Sequence, residues 1–169
     1  KTNYKLKNKK MGRVFFNTRK NIHSITADYQ CLDSDSGKLF ALNSASAVVI
    51  TLPTDANVTE GWNAKFIVET QNDAANGYSI KTADNADSGG DDFVGGLAYL
   101  TTTAGFGHSI VAAADDCVIS MDGNLADGGG LVGSWVEIFK LANNEWMISG
   151  VIYSADADGT GAANIVDED

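Results

Sequence analysis

A β-hairpin is predicted at Trp135-Val-Glu-Ile-Phe-Lys-Leu141, Ala142-Asn-Asn-Glu145 and Trp146-Met-Ile-Ser-Gly-Val-Ile152. Both outer runs are rich in β-branched and aromatic residues, which favour strands. Asn143 and Asn144 tolerate the left-handed backbone conformation that a tight turn between antiparallel strands requires. This part of the chain is therefore predicted to form two paired strands.

Runs of the same kind recur along the chain before this hairpin. Including it, the candidate strands are 29–32, 38–42, 48–52, 65–69, 78–82, 97–101, 109–112, 117–121, 135–141 and 146–153. Turn-forming residues separate them, and helical periodicity is almost absent. The pattern predicts an all-β fold, a two-sheet, jelly-roll-like β-sandwich, with closure into a barrel as the lesser alternative. No repeat of fixed period is visible, which disfavours a solenoid, and Gly- and Asp-rich loops are expected at 83–96 and 123–134.

Basic residues are concentrated at the start of the chain. Eight of the twelve lysines and arginines lie in the first twenty residues, where there is no Asp or Glu, and the other four accompany all twenty-two acids. The first segment thus carries about +8 and the remainder about −18. We expect an extended basic arm at 1–24, a β-sandwich domain at 25–153 and a short acidic tail at 154–169. Such an arm suits an acidic protein surface or a nucleic acid, although the acidic domain would repel nucleic-acid phosphates.

Length and composition describe a single folded domain. The chain has 169 residues, of which 44% are hydrophobic, and it has no apolar run of bilayer length, so membrane insertion is not expected. The apolar island at 14–16 is too short for a secretory signal, so export by that route is not expected either. Cys31 and Cys117 either pair or remain buried thiols.

No catalytic motif is visible in the sequence. His23 and His108 are the two histidines, and neither accompanies a nucleophile in a recognisable arrangement. The glycine-rich stretches lack the spacing and the lysine of a phosphate-binding loop. We therefore expect neither an enzyme nor a bound cofactor.

One acidic cluster partly matches a calcium-binding loop. Asp156, Asp158 and Asp167 lie at positions 1, 3 and 12 of an EF-hand-like spacing, with Gly161 at position 6. Position 12 is Asp rather than the usual bidentate Glu, and helices are not predicted on either side. A metal is therefore a weak expectation here, and a solvated acidic tail is the alternative.

Most large aromatic residues are expected in the core. Trp62, Trp135 and Trp146 fall at or beside candidate strands, where rings fill the space between sheets. Phe15 and Phe16 instead lie among the cations of the arm, where they suit a hydrophobic anchor flanked by charge pairs. The alternative is that 14–16 is the first strand of the domain.

Several segments carry a resemblance to a family. They are Ile25-Thr-Ala, Ser36-Gly-Lys38 and Leu52-Pro53 within 25–53, then Gly61-Trp-Asn-Ala-Lys-Phe-Ile-Val68, Gly133-Ser-Trp-Val-Glu-Ile-Phe-Lys-Leu141 and Asn144-Glu-Trp-Met-Ile-Ser-Gly150. Over residues 25–153 the chain resembles small β-sandwich proteins of tailed phages, especially marine ones. Proteins of this kind are head decoration (cement) proteins or modules of virion fibres.

The resemblance implies a non-enzymatic role in the virion. The expected partner is the major capsid protein, the expected place is the capsid surface after synthesis in the host cytoplasm, and the expected oligomer is a trimer. The basic arm would bind the shell across subunit joints and stabilise it. Its expected contact residues are Lys5, Lys7, Lys9, Lys10, Arg13, Phe15, Phe16, Arg19 and Lys20.

Two alternatives remain after this resemblance. A fibre module would recognise a host-surface ligand through the loops at 83–96 and 123–134. A nucleic-acid-binding protein would use the arm on phosphates, which the acidic domain would repel.

Overall fold

A computed structural model describes residues 22–72, 77–84, 90–102, 107–123, 128–155 and 165–167. Twelve strands lie in these ranges: β1 Ile22–Ile25, β2 Tyr29–Gln30, β3 Lys38–Leu42, β4 Val48–Thr51, β5 Asn63–Val68, β6 Tyr78–Lys81, β7 Asp92–Thr101, β8 Gly107–Val111, β9 Val118–Met121, β10 Trp135–Ala142, β11 Glu145–Ser154 and β12 Val166–Asp167. The helical elements of the same ranges are two 3₁₀ turns, Asp33–Asp35 and Asp55–Asn57. No helix in the described part of the chain is long and apolar enough to cross a membrane.

The strands form two sheets. One has the order β1-β3-β5-β10-β11-β7-β8 and the other has the order β12-β9-β6-β4-β2. An all-β, two-sheet fold is thus confirmed. The jelly-roll connectivity is not, because Greek-key strands pair antiparallel whereas β1 with β3, β3 with β5, β2 with β4, β4 with β6 and β7 with β11 all pair parallel.

Parallel pairing arises because the first six strands alternate between the two sheets. Strands β1, β3 and β5 are neighbours in the seven-stranded sheet, while β2, β4 and β6 are neighbours in the five-stranded sheet. Each pair of consecutive strands therefore adds one strand to each sheet, so the chain winds around the core.

One hydrophobic core lies between the sheets. Period-two alternation turns Phe66 of β5 inward, where its ring stacks on Phe40 of β3 with centroids 5.0 Å apart. Ile50, Ile80 and Ile119 are register partners in the opposite sheet, and all three are fully buried. Both sheets thus contribute their inner faces to the same cluster.

The predicted hairpin is confirmed as β10 and β11. Trp135 pairs with Val151 and Lys140 with Trp146, and Asn144 adopts the left-handed conformation at φ 59° in the turn. The register shifts between Lys140 and Ala142, which marks a bulge beside the turn.

The loop expected at 83–96 is shorter than predicted. Strand β7 already begins at Asp92 and runs through Gly95 and Gly96. A Cβ on Gly95, at φ +103°, would lie 2.5 Å from the backbone oxygen of Ile148 on the neighbouring strand. Glycine therefore serves close strand packing at this position, whereas the sequence pattern indicated a turn.

Strand pairing also reaches into the ranges assigned to the arm and the tail. Strand β1 begins at Ile22, inside the range 1–24 assigned to the arm, and pairs with β3. Strand β12, inside the range 154–169 assigned to the tail, pairs antiparallel with β9. Both termini of the described chain are therefore joined to the sheets.

Candidate functional site

The residues expected to bind a capsid lie outside the described residues. All nine, from Lys5 to Lys20, fall within 1–21. Asp156 and Asp158 of the weak metal candidate are likewise outside, and Asp167 lies in β12. Within the described ranges, no group of three or more His, Cys, Asp or Glu side chains could hold a metal ion.

The two histidines lie apart from each other. His23 of β1 is half-buried, and its ring contacts Tyr29 at 5.0 Å and Phe40 at 5.6 Å between centroids. His108 on the edge strand β8 is exposed, with its ring 6.4 Å from that of Tyr99. Cys31 and Cys117 are both buried, and no disulfide joins them.

A buried lysine at one end of the sandwich lies in a setting that could support a chemical reaction. Alternation along β10 places Val136, Ile138 and Lys140 on the core face, so a lysine occupies a position that this pattern gives to an apolar residue. The Lys140 side chain is 3% exposed. Its Nζ lies 4.8 Å from the ring centroid of Trp146, which packs edge to face on Trp62. The amine is thus buried beside the ring of Trp146.

Two carboxyl groups approach this amine from different elements. Asp55 begins the 3₁₀ turn between β4 and β5, and its Oδ1 is in direct contact with Lys140 Nζ. Asp91 immediately precedes β7, is 1% exposed, and places Oδ1 3.8 Å from the same nitrogen. We call Asp55, Asp91, Lys140 and Trp146 the buried Lys-Asp cluster; Asp55 is its most exposed member, with a side chain that is 26% exposed.

Backbone hydrogen bonds fix the positions of these residues. The Asn144 N–H, in the turn of the β10-β11 hairpin, donates to Asp55 Oδ1 at 3.2 Å. The Asp92 N–H donates to the Asn144 carbonyl at 2.8 Å, which holds the start of β7 beside the same turn. The hairpin turn thus brings together side chains that are far apart in the sequence.

Burial shifts the protonation equilibria of this cluster. It lowers the pKa of Lys140, against a smaller opposing effect of Glu145. Burial also raises the pKa of Asp91, the Trp146 indole N–H acts against this rise, and the charges of Asp84 and Asp92 add to it. Both shifts favour the uncharged forms, because a low-dielectric site disfavours ions.

An open cavity of about 660 Å³ adjoins the cluster. Asp55, Val58, Glu60, Lys140 and Asn143 are among its lining residues. Small molecules such as water can therefore reach or leave the cluster from this side.

A second feature is the outer face of the seven-stranded sheet. The residues that point away from the core there are mostly apolar and half-buried or exposed; they are Leu39, Ala41, Ile67, Val94, Ala98, Leu100, Trp135, Phe139, Met147, Val151 and Tyr153. We call this set the apolar face. Lys65, Glu137 and Ser149, which are successive register partners, interrupt it. Lys65 Nζ lies 3.6 Å from the ring centroid of Trp135, so Trp135 covers the outside of the sheet whereas Trp62 and Trp146 are in the core.

The five-stranded sheet has a different outer face. Its outward positions include Thr51, Ser79, Lys81 and Ser120, with Val49 as an exposed apolar residue. The two outer faces of the sandwich therefore differ in polarity, although both sheets share one core.

Sequence reasoning missed both features. The signal for the cluster was present, because Lys140 follows Val136 and Ile138 at the inward spacing of a strand. The signal for the apolar face was the excess of apolar over polar residues at the outward positions of β7, β10 and β11, because a solvated sheet face is usually polar.

Comparison of the chain with protein-family models, with curated proteins and with solved structures finds no match.

Proposed function

We propose that this chain is a non-enzymatic virion structural protein that binds a head shell and stabilises it, as capsid decoration proteins do. The sequence resemblance over 25–153 supports this assignment, and so does the concentration of cations in the first twenty residues. Binding to the assembled shell and not to free subunits would shift the equilibrium away from disassembly.

The observation that carries the proposal is the apolar face. In one row Ile67 pairs with Trp135, Trp135 with Val151 and Val151 with Ala98, so apolar side chains cross four adjacent strands. The next outward row of the same strands consists of Lys65, Glu137, Ser149 and Gly96. At about 4.8 Å per strand and 3.3 Å per residue, β3, β5, β10, β11 and β7 present roughly 20 Å by 20 Å. A contiguous apolar patch of a few hundred Å² is about the largest that a monomeric protein exposes, and patches of this size are often functional.

The partner that suits this face is a folded protein with a similar mixture of groups. Within the apolar face one cation and one anion, Lys65 and Glu137, balance each other, and the acids Asp92 and Glu145 lie at one end of the same side of the sheet. Because the rest of the domain is acidic, this face is where another subunit can approach with the least repulsion. The basic arm would add contacts to an acidic capsid surface, and a trimer would add avidity.

The test is co-sedimentation with empty head shells of the phage that encodes the chain, and with duplex DNA over a range of salt. The samples are the full chain, a chain lacking residues 1–20, an Ile67→Glu variant and a Ser79→Glu variant. Ser79 is the matched control, because it occupies an outward position of the five-stranded sheet. Circular dichroism before sedimentation shows which variants are folded.

The proposal expects shell binding by the full chain and by Ser79→Glu, and weaker binding by Ile67→Glu and by the truncated chain. Equal binding by Ile67→Glu and the full chain would show that the apolar face is not part of the interface. Binding to DNA without binding to shells would favour the nucleic-acid alternative. Binding to neither would favour a fibre module.

A further inference from the structure

We propose that Lys140 and Asp55 react with each other to form an intramolecular amide, an isopeptide bond between Lys140 Nζ and Asp55 Cγ, with the Asp91 carboxyl relaying the protons. This inference concerns the buried Lys-Asp cluster and does not depend on the capsid role. An amide between these side chains would convert a buried ionic contact into a neutral covalent link.

The first requirement is an amine that can act as a nucleophile. A lysine attacks through its uncharged form, and desolvation in an apolar pocket is a recognised way to obtain that form near neutral pH. Lys140 meets this condition, because its side chain is almost fully buried and its Nζ lies against Trp146.

The second requirement is a polarised carboxyl group within reach of the amine. Asp55 Oδ1 contacts Lys140 Nζ, so Cγ is one covalent bond further away. The Asn144 N–H donates to that same Oδ1 at 3.2 Å. A fixed backbone donor on this oxygen would stabilise the negative charge that develops there when Cγ is attacked.

The third requirement is a group that moves protons between the amine and the departing oxygen. Asp91 lies 3.8 Å from Lys140 Nζ, and neither of its oxygens makes a hydrogen bond of normal geometry within the described residues. Burial favours its protonated form. A neutral carboxyl can accept a proton on one oxygen while it donates one from the other.

The reaction balances without any co-reactant. A proton first passes from the Lys140 ammonium to Asp55 Oδ2, which leaves an uncharged amine and a protonated Asp55 carboxyl. The Nζ lone pair then forms the Nζ–Cγ bond, while one Nζ–H proton passes to Asp91 and the Asp91 proton passes to Oδ2, which now carries two protons. The Cγ–Oδ2 bond then breaks, Oδ2 leaves as water, and Oδ1 remains as the amide carbonyl oxygen. Asp91 ends in the protonation state in which it began. The adjoining cavity offers the water a way out.

The protein contains an internal contrast to this pair. Lys38 Nζ lies 2.5 Å from Asp35 Oδ1, but the Lys38 side chain is 31% exposed, so water can solvate its ammonium. Burial opposes ionisation of Asp35, yet hydrogen bonds from Lys38, Leu32 and Tyr29 prevail and lower the pKa of Asp35. This pair remains charged and serves as an ordinary ion pair, although its two groups are also close together.

The experiment is intact-mass measurement of the full chain under denaturing conditions, followed by tryptic mapping. Formation of the bond removes one water, so the measured mass should be lower than the sequence mass by one water molecule. Trypsin should fail to cleave after Lys140, and peptide 39–65 should be joined to peptide 82–169. Separate peptides 39–65, 82–140 and 141–169 at the full sequence mass would overturn the proposal.

Variants assign the roles. Lys140→Arg and Asp55→Ala should restore the full sequence mass, and Lys38→Arg, the matched control, should retain the loss of one water. Asp91→Asn should show little or no loss of water although Lys140 and Asp55 are both present. If Asp91→Asn still loses one water completely, Asp91 does not relay the protons. A species with the mass of two cross-linked chains would overturn the intramolecular assignment.

Discussion

The hydroxyl of Tyr78 lies within hydrogen-bonding distance of both the backbone N–H and the backbone carbonyl of Ser44, a residue that is distant in the sequence. It accepts a hydrogen bond from the Ser44 N–H at 2.7 Å and lies 2.8 Å from the Ser44 carbonyl oxygen, with the Thr70 carbonyl as a further acceptor at 2.9 Å. Tyr78 is fully buried in β6. One side chain of the five-stranded sheet thus holds the segments that follow β3 and β5 of the other sheet.

Tyr78→Phe should therefore lower the free energy of unfolding by about 1–3 kcal/mol, since it leaves the buried Ser44 N–H without its acceptor. Urea denaturation followed by tryptophan fluorescence measures this. Tyr153→Phe is the control, because Tyr153 is exposed on the apolar face, and it should change stability by less than about 0.5 kcal/mol. Equal effects of the two substitutions would contradict the role of the Tyr78 hydroxyl.

Alkaline pH should destabilise the fold through Cys31. Burial, with a smaller contribution from Asp35, raises the pKa of this thiol from 9.0 to about 12. Below pH 9 the thiol is protonated in the folded and in the unfolded protein, so it adds no pH dependence. Between pH 9 and pH 12 the thiol ionises in the unfolded protein but not in the folded one, so the free energy of unfolding should fall by about 1.4 kcal/mol per pH unit.

Denaturation of the wild type and of Cys31→Ala at pH 8, 9, 10 and 11 measures this slope. The substitution should lower stability at pH 8 and flatten the decline at higher pH. Burial and Asp35 also raise the pKa of Tyr29 to about 12 in the wild type, and the variant lacks only the smaller contribution of Cys31 to that rise. Identical pH slopes for the two proteins would exclude Cys31 as the cause.

Two glycines with left-handed backbones should respond differently to alanine. A Cβ on Gly95 meets the Ile148 backbone oxygen at 2.5 Å, whereas a Cβ on Gly37, at φ +79°, has no heavy atom within 4 Å. Gly37→Ala should lower the free energy of unfolding by about 1–2 kcal/mol, because alanine disfavours the left-handed backbone conformation. Gly95→Ala should lower it clearly more, because strands β7 and β11 must also move apart. Thermal unfolding of both variants tests this, and equal losses would contradict the steric argument.

The proposed Lys140-Asp55 bond has a consequence for stability. A link between residues 55 and 140 restricts the unfolded chain, and by analogy with a disulfide closing a loop of this length it should contribute about 4–5 kcal/mol. A Lys140→Met, Asp55→Ala double variant removes the bond and leaves Asp91 in the protonated form that burial favours. It should be less stable and should show a larger denaturant m-value, since its unfolded state exposes more surface. An unchanged m-value would argue against a covalent link.

Strand pairs could be predicted from the sequence where the paired residues are close together in the chain, and not where they are far apart. Strands β10 and β11 could be located and paired because the turn at Asn143 and Asn144 joins them directly. Strand β1 was missed because its four residues follow a charged segment, and β7 was shortened because Gly95 and Gly96 indicate a turn in most sequences.

Pairing partners and the cluster required the structure. Alternation of apolar residues shows which face of a strand is buried, but it does not show which strand lies beside it. Strands β1, β3 and β5 begin at residues 22, 38 and 63, so the intervals are 16 and 25 residues and no fixed period is visible. Likewise, nothing local to Lys140 identifies Asp55 or Asp91 as its neighbours.

The alternation of the first six strands between the sheets makes folding a joint event. Neither sheet has a contiguous stretch of chain from which its first three strands could assemble alone, since each successive strand belongs to the opposite layer. If any two consecutive strands of this segment unfolded, each sheet would lose one strand at the same time. The N-terminal half is therefore expected to unfold as a single cooperative unit, with no half-sandwich that persists alone.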